Sequence, residues 1–188
     1  MATTTYELSG LRIAALVDDR FEEIELTGPK EAFEAAGARV DIISRHTQLT
    51  AMRHHVIGGT YRPDVALRDA RPEDYDALLL PGGVANGDSL RIVPAAQRFA
   101  QGIVAAGKPV AVICHGGWLL ISAGLVGGHT VTSWPTLQDD YRNAGATWVD
   151  QEVVVEGNWI SSRKPDDLPA FIRAAMDVLA AQQRQKAA

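Results

Sequence analysis

Cys114 is the single cysteine of the chain, and the residues around it are typical of a reactive thiol. An apolar β-type run, Val110 to Ile113, ends abruptly at Cys114, and an apolar helix-like segment follows from 118 to 123. Strand, sharp turn and helix in this order predict a nucleophile elbow, with cysteine where hydrolases of the Gly-x-Ser-x-Gly type carry serine. A helix that begins at the cysteine would point N–H groups at the sulfur, which favours the thiolate that attacks electrophiles.

The alternative is an inert buried cysteine at the end of a strand, because a free cysteine often packs as a small hydrophobic residue. Three residues that follow it, His115, Gly116 and Gly117, favour the reactive thiol, since small neighbours let a substrate come close to the sulfur. Covalent attack on a carbonyl group also needs a proton carrier and donors for the developing oxyanion. Exposed amides of glycine-rich turns, near Gly83 and at His115, are candidates for those donors.

The elements that must position this thiol alternate along the chain. Apolar strands are predicted at 11–17, 39–43, 76–80 and 110–113, short strands or a hairpin within 47–67, and strand-like runs at 147–149, 152–155 and 158–161. Helices are predicted at 22–36 (interrupted at 27–29), 94–106, 136–143 and 166–181, and 84–88 is interpreted as a loop. Buried strands alternating with helices predict an α/β fold with a mostly parallel sheet covered on both faces.

Three polar or glycine-rich segments follow predicted strands, namely 18–25, 81–83 and 114–116. Ligands of such sheets bind beyond the carboxyl ends of the strands. The sequence therefore predicts one site that brings these three segments together.

Composition limits the alternatives. A length of 188 residues, with 46% apolar and 22% charged residues and no internal repeat, predicts one domain over 1–188, with frayed tails at 1–9 and 182–188. A net charge of −5 argues against nucleic acid or an acidic membrane surface as the main partner, and no apolar run approaches the ~20 residues of a membrane span. Without a signal peptide or a cysteine pair, a cytoplasmic location is expected.

Neither a metal nor a cofactor is predicted. The chain has no Walker motif, no Gly-x-Gly-x-x-Gly fingerprint and no His-Glu-x-x-His motif. His54 and His55 have no further ligand at metal-binding spacing, so they are interpreted as a solvated pair in a loop. His129, in a Gly-Gly-His-Thr turn, is also placed in a loop, although it could line the pocket.

Several motifs together carry a family resemblance. They are Phe21–Leu26, Leu80–Gly83, Ala111–Gly116 and Ser133–Pro135, with the later runs 139–140, 143–146, 152–155 and 157–163. In this order, over residues 10 to 182, the chain resembles the PfpI family of intracellular cysteine peptidases. That family lies in the superfamily of the parkinsonism-associated deglycase and includes general stress proteins described as protein and nucleotide deglycases. The resemblance implies a flavodoxin-like three-layer sandwich of the class I glutamine amidotransferase type, and a homodimer or larger homo-oligomer.

The resemblance also implies roles for individual residues. Cys114 matches the family's nucleophile, His115 the histidine that follows it, and Glu25 the carboxylate that hydrogen-bonds to the cysteine. Gly83 matches the glycine whose backbone N–H helps to form the oxyanion hole, beside Gly82 and Gly116. Trp134 matches an aromatic residue near the family's pocket, and its alternative is a core or rim position.

The chain also departs from the family pattern in three places. The glutamate that reaches the histidine of a neighbouring subunit is matched by Asp88, a shorter acid whose alternative is an ordinary loop residue. The loop that carries it is one residue longer, and Gly117 replaces a proline. These departures concern peptidase activity and leave the Cys114–Glu25 pair unchanged.

The proton carrier has two candidates. A glutamate buried beside a thiolate should have a raised pKa, so Glu25 could hold a proton at neutral pH and act as a general acid. The alternative for Glu25 is a solvated charge in the first turn of a helix. His115 adjoins Cys114, and adjacent side chains seldom face each other, so His115 is expected to need an acid from elsewhere, such as Asp88 of a partner subunit.

The sequence thus predicts a stress-protective cysteine hydrolase that acts on small carbonyl-derived adducts or on peptides. A deglycase or glyoxalase-like activity is expected, with weak peptidase activity beside it. The alternative is a redox sensor or chaperone that operates by oxidation of Cys114 to a sulfinic acid bound by protonated Glu25. Isocyanide hydration is a third hypothesis, from the segment Glu25–Pro29, and the match downstream of Cys114 argues against it.

Overall fold

The computed structural model describes residues 6–187, which form eleven strands. They are β1 (Arg12–Leu16), β2 (Arg39–Ser44), β3 (Leu49–Arg53), β4 (Val56–Tyr61), β5 (Val65–Ala66), β6 (Ala77–Leu80), β7 (Val110–Ile113), β8 (Thr130–Val131), β9 (Thr147–Trp148), β10 (Val153–Glu156) and β11 (Trp159–Ser162). Seven strands pair in the order β10-β11-β7-β6-β1-β2-β5, and of these β10 alone is antiparallel to its neighbour. The prediction of a mostly parallel central sheet is confirmed.

Six helices accompany the strands. They are α1 (Glu23–Ala35), α2 (Val84–Arg91), α3 (Pro94–Ala105), α4 (Gly117–Ser122), α5 (Gln138–Asn143) and α6 (Leu168–Ala187). Single 3₁₀ turns at 114–116, 135–137 and 165–167 lead into α4, α5 and α6, and another lies at 72–74.

Helices cover both faces of the sheet, and its strands β6 and β7 are apolar and buried at every position. Along β1, Ile13 and Ala15 belong to a core shared with α1 and α6, whereas Ala14 and Leu16 belong to a second core shared with α3 and α4. This alternation follows from the two-residue period of a strand. The layers are therefore helix, sheet and helix, as the flavodoxin-like fold requires.

The hairpin of β3 and β4 lies outside this sheet and is attached to the segment that precedes α1. The Arg20 amide donates to the Thr50 carbonyl at 2.8 Å, and the Met52 amide donates to the Phe21 carbonyl at 2.7 Å. These bonds place the tip of the hairpin, residues 54 and 55, at the end of the sheet where β1 finishes.

Two helices differ from the sequence prediction because tertiary contacts outweigh local preference. The helix α1 continues through Thr27-Gly28-Pro29, since Leu26 and Phe33 on either side are fully buried in the core. Residues 84–88, predicted as a loop, begin α2, although asparagine and glycine are weak helix formers. The buried Asn86 side chain donates to the carbonyls of Pro81 and Gly82 and accepts from the Asp18 amide, which holds this helix against two strand ends.

The ends of the chain are more ordered than predicted. Within the tail predicted to be frayed, 182–187 continue α6, and Gln182 and Lys186 bind Asp76. At the other end Leu8 is fully buried, and its amide donates to Ala36 at 2.7 Å. Residues 1–5 and 188 lie outside the described residues, so the prediction for them stays a prediction.

Candidate active site

Cys114 lies at the carboxyl end of β7, on the sharp turn that the sequence predicts. Its φ of +60° is in the left-handed region, which is costly for any residue with a Cβ. The turn continues as one 3₁₀ turn and then as α4, so the elbow is strand, turn and helix in that order. The residue is only 6% exposed. The side chain is thus held in one orientation at the edge of the sheet where the other predicted segments end.

The loop after β6 passes directly beside the thiol. A Cβ built on Gly82 would lie 2.6 Å from both the Cys114 Cβ and the Glu25 Oε2, so only glycine permits this approach. Gly83 adopts a φ of +93°, and its N–H points at the sulfur, as does that of His115. Two backbone donors therefore lie beside the sulfur.

Glu25 comes from the first helical turn of α1 and is fully buried. Its Oε2 accepts a hydrogen bond of 2.7 Å from the Gly82 amide, and its Oε1 has no partner among the described residues. Burial raises the pKa of Glu25 to about 8, and the neighbouring charge of Glu22 adds to this. The carboxyl group therefore carries a proton at neutral pH, and the alternative of a solvated charge is wrong.

His115 faces the cysteine, contrary to the expectation for adjacent residues. Its Nδ1 lies 3.1 Å from the Cys114 Sγ, because the left-handed backbone at Cys114 brings consecutive side chains to the same side. The ring lies between Trp118 and Trp134, with centroid distances of 5.1 and 5.8 Å. Burial lowers the pKa of His115 to about 4, so the imidazole is neutral and able to accept a proton.

The expectation of a resting thiolate is not supported. Burial raises the pKa of the Cys114 thiol above its usual value, and the charge of Glu25 raises it further once that carboxyl group ionises above its own pKa of about 8. The N–H groups of Gly83 and His115 lower it by less. A turn at the start of a helix does point donors at the sulfur, but desolvation of the anion outweighs them.

The sulfur opens onto a cavity of about 610 Å³. Its walls come from the segment before α1, the β3–β4 hairpin, the start of α2, the elbow and the segment before α6. The lining side chains and backbone belong to Arg20, Glu22, Glu25, Met52, His54, His55, Gly83, Val84, Ala85, Cys114, His115, Trp134, Lys164, Pro165 and Asp166.

Comparison with known proteins gives this arrangement a family. The sequence profile of the DJ-1/PfpI family matches residues 11–178, most of the chain. The chain belongs to the DJ-1/PfpI family. The resemblance deduced from the cysteine, glutamate and Pro-Gly-Gly motifs is therefore confirmed.

Individual DJ-1/PfpI relatives match the chain over nearly its full length. A protein of Pyrococcus abyssi named a deglycase is 41% identical over 169 residues, which cover 90% of this chain and 99% of the relative. A Bacillus subtilis protein, named provisionally as a cysteine protease, is 41% identical over 168 residues, covering 89% and 98%. Among solved structures, an Anabaena variabilis protein with DJ-1/ThiJ/PfpI-like and ferritin-like domains superimposes with a TM-score of 0.84 at 31% identity. That match covers 90% of this chain and 48%, about half, of the other.

The DJ-1/PfpI site of this chain contains most of the predicted residues, but not all. Cys114, His115, Glu25, Gly83 and Trp134 line the cavity. Gly82 and Gly116, predicted beside the oxyanion hole, do not line it. Gly82 separates Glu25 from Cys114, and Gly116 packs against the carbonyl of Leu80.

Asp88 lies on the exposed side of α2 and outside the cavity wall. It has no hydrogen bond or ion pair within the described chain, so its action on the histidine of a partner subunit stays a prediction. His129 does not line the cavity either. It pairs with Glu156 and stacks on Trp159 with a centroid distance of 4.2 Å.

Sequence reasoning missed several polar residues of the DJ-1/PfpI cavity wall. His54 and His55, interpreted as a solvated pair, lie at the β3–β4 turn and line the cavity, as do Arg20 and Lys164. No local signal identifies them, because their position depends on how the hairpin docks beside α1. Among residues 6–187 no group of three histidine, cysteine or acidic residues could hold a metal ion, and no helix is long and apolar enough to cross a membrane.

Proposed function

We propose that this protein is a cysteine-dependent hydrolase of the deglycase type, which acts on small carbonyl-derived adducts. The observation that carries the proposal is the contact of 3.1 Å between the Cys114 Sγ and the Nδ1 of a neutral His115, beside a protonated Glu25. The naming of the Pyrococcus abyssi relative as a deglycase supports the same activity.

The chemistry begins with proton transfer inside the site. The adduct first releases its amine or thiol as its hydroxyl-bearing carbon reverts to an aldehyde, and Glu25 protonates the departing group and takes up the hydroxyl proton. The sulfur then attacks the aldehyde carbon, the thiol proton passes to His115 Nδ1, and the carbonyl electron pair moves onto an oxygen that the N–H groups of Gly83 and His115 stabilise. A proton shift through an enediol, from the carbon that carries the sulfur to the neighbouring ketone carbon, gives a 2-hydroxyacyl thioester of Cys114. Water hydrolyses this thioester to the 2-hydroxy acid and returns a proton to the sulfur. His115 is thereby the base, one of the two proton carriers between which the sequence had not decided.

Adducts fit this site better than peptides do. The peptidase arrangement of the family pattern needs an acid at His115 from a neighbouring subunit, and Asp88 is a shorter side chain than the glutamate it matches. The name of the Bacillus subtilis relative nevertheless supports peptide hydrolysis as a second, weaker activity. Both reactions use the same nucleophile and oxyanion donors.

The decisive experiment removes the sulfur. Cys114→Ala should lower turnover of methylglyoxal adducts of a small thiol or amine by at least about a hundredfold, because covalent catalysis is lost. Cys114→Ser, which keeps an oxygen in the same position, is the matched variant and should also be inactive, since His115 with its lowered pKa is a weak base toward a hydroxyl group. Product would be measured by liquid chromatography, and unfolding curves would verify that both variants fold. Turnover at the wild-type rate in Cys114→Ala would contradict the proposal.

One observation favours a redox function as the second candidate. The protonated, fully buried Glu25 has an Oε1 without a partner, which could donate a hydrogen bond to an oxidised sulfur. The raised pKa of the thiol acts against it, because oxidation proceeds through the thiolate. Mass spectrometry after treatment with mild peroxide distinguishes the redox function from the hydrolase. Addition of two oxygen atoms at Cys114, in a protein that turns over no adduct, would favour the redox sensor.

A further inference from the structure

Left-handed backbone is concentrated around the cavity. Within residues 6–187, three residues other than glycine have a positive φ: Arg20 at +60°, His54 at +56° and Cys114 at +60°. All three line the cavity that contains the sulfur. Such conformations are unfavourable for any residue with a Cβ, and they persist where the placement of a group matters to function.

The backbone of Arg20 is fixed on two sides. Its amide donates to the Thr50 carbonyl at 2.8 Å, and its carbonyl oxygen would lie 2.7 Å from a Cβ built on Gly83. Arg20 is therefore anchored against the residue whose N–H points at the sulfur. A side chain that lines the cavity from this position has a defined starting point relative to the reacting atoms.

The guanidinium of Arg20 is weakly paired. The carboxylate of Asp19 lies 4.0 Å from its Nε, at the limit of an ion pair, and the side chain is 67% exposed. Among the described residues, no carboxylate and no carbonyl oxygen accepts a hydrogen bond from the Arg20 side chain. The N–H groups of this guanidinium are therefore available to a ligand. Their planar arrangement matches the oxygen atoms of a carboxylate or a phosphate.

The acids of the cavity wall are already engaged elsewhere. Glu22 accepts a hydrogen bond of 2.9 Å from the His54 amide, and Asp166 pairs with Lys164 at 3.1 Å. Glu25 is protonated at neutral pH. Arg20 therefore faces a cavity in which no unpaired carboxylate competes with an anionic ligand.

We propose that Arg20 binds an oxyanion group, carboxylate or phosphate, carried by the molecule that reacts with Cys114. This inference rests on the proposed function. It narrows the substrate class to carbonyl adducts in which the thiol or amine that carries the carbonyl compound also bears a carboxylate or a phosphate, as nucleotides do. Arg20 is then a specificity residue. It selects the carrier, while Cys114, His115 and Glu25 perform the chemistry.

Because Cys114 is the single cysteine, alkylation tests the charge preference without any turnover. Iodoacetate is anionic and iodoacetamide is its neutral counterpart, so the ratio of their rates at Cys114 reports the local charge. Relative to the same ratio for free N-acetylcysteine amide, the protein should favour iodoacetate. In Arg20→Gln the ratio should fall about fivefold, the effect expected of one nearby cation in a solvated cavity. Intact-mass spectrometry measures both rates.

Two further variants test whether the change in the alkylation ratio is due to the charge of Arg20. Arg68→Gln removes another exposed arginine, paired with the adjacent Asp69 at 3.6 Å and outside the cavity wall, and should leave the ratio unchanged. Arg20→Lys keeps the charge and should restore most of the preference. An equal ratio in the wild type and Arg20→Gln would overturn the assignment of Arg20. The raised pKa of the thiol slows both reagents alike, so it does not change the ratio.

Turnover separates the two proposals and the two sources of the anion. The carboxylate pair of substrates is the methylglyoxal hemithioacetal of N-acetylcysteine and that of its neutral amide. The phosphate pair is the methylglyoxal adduct of guanosine monophosphate and that of guanosine. For each pair, the ratio of kcat/KM for the anionic substrate to that for the neutral one is compared between the wild type and Arg20→Gln. A fall of about fivefold in this ratio supports the role of Arg20 in binding the anion. The pair that shows the fall identifies the anion as a carboxylate, a phosphate or both. Cys114-dependent turnover with no change in either ratio would overturn the inference and leave the proposed function standing.

Discussion

The three side chains proposed to react all have pKa values that favour their uncharged forms at neutral pH, and burial is the common cause. Desolvation raises the pKa of the Cys114 thiol, raises that of Glu25 to about 8 and lowers that of His115 to about 4. An ion pair of thiolate and imidazolium is therefore not the resting state. In the proposed mechanism the nucleophile forms at the moment of attack, when the proton moves across the 3.1 Å between Sγ and Nδ1.

The raised pKa of Glu25 predicts how stability depends on pH. Between its unfolded value of 4.5 and its folded value of about 8, the folded protein binds a proton that the unfolded chain has released. Stability due to this group is therefore complete below the unfolded value and falls as pH rises through the window, by at most about 1.4 kcal/mol per pH unit. Glu25→Gln removes the titration, so its stability relative to wild type should increase from about pH 5.5 to 7.5. Urea unfolding at each pH measures the difference.

Glu23→Gln is the matched control. Glu23 binds Arg53, the Gly59 amide and Tyr61, and its pKa is lowered, the hydrogen bond from Arg53 being the largest cause. Its contribution is present above the unfolded pKa and is lost only as pH falls below that value. Over the same pH range the stability of Glu23→Gln should differ from wild type by a constant amount. Parallel curves for Glu25→Gln and wild type would contradict a protonated Glu25.

At the scale of elements, the elbow is supported from behind by α5. The Tyr141 hydroxyl is buried and has no hydrogen-bond partner among the described residues, and it lies where a side chain at position 117 would be. A Cβ built on Gly117 would lie 1.8 Å from the Tyr141 Oη. This contact accounts for the departure from the family pattern, because the usual proline would collide with the tyrosine.

The contact predicts a coupled pair of substitutions. Gly117→Ala should destabilise the protein by about 1–3 kcal/mol through overpacking, and should lower kcat because α4 follows the turn of Cys114 directly. In the background of Tyr141→Leu, which removes the hydroxyl and most of the ring, the same substitution should cost much less. Chemical unfolding of the four proteins gives the coupling energy.

Gly127→Ala is the control for loss of a glycine as such. Its backbone φ is not positive, and the nearest atom to a built Cβ is the Ala144 carbonyl oxygen at an ordinary 3.6 Å. It should be tolerated. If Gly117→Ala is equally costly with tyrosine or leucine at 141, the contact does not explain the glycine.

At the scale of the whole molecule, the parallel sheet assembles the site by bringing strand ends together. The segments after β1, β6 and β7 carry Glu25, Gly83 and Cys114, and the β3–β4 hairpin closes one side. Asp88 is exposed on α2 and does not line this cavity. The role of Asp88 at the His115 of another copy of the chain stays a prediction.

Mixing two inactive variants tests that assembly. If Asp88 acts across an interface, both Cys114→Ala and Asp88→Asn should be impaired in peptide hydrolysis, and refolding them together should restore up to about a quarter of the wild-type activity. That fraction follows because half the dimers are mixed and each has one intact site. Asp139→Asn, another exposed acid, is the control. Light scattering measures the oligomer, and absence of recovery in a mixed dimer would contradict the role of Asp88 in trans.

The sequence by itself determined the layered fold and the centre of the site. Continuous apolar strands can be buried only between two helical layers, and parallel strands necessarily end at one edge. The segments with Glu25, Gly83 and Cys114 therefore had to meet. These conclusions depend on patterns that are local in the chain, so a single sequence is enough to reach them.

Only the tertiary structure decided the protonation of the site, the orientation of His115 and the composition of the cavity wall. Desolvation depends on what surrounds a group, so the neutral thiol beside Glu25 has no signature in the sequence. The contact of His115 with Cys114 depends on one left-handed residue. The positions of Arg20 and His54 depend on how the β3–β4 hairpin docks beside α1. A local pattern of residues does not predict long-range packing of this kind.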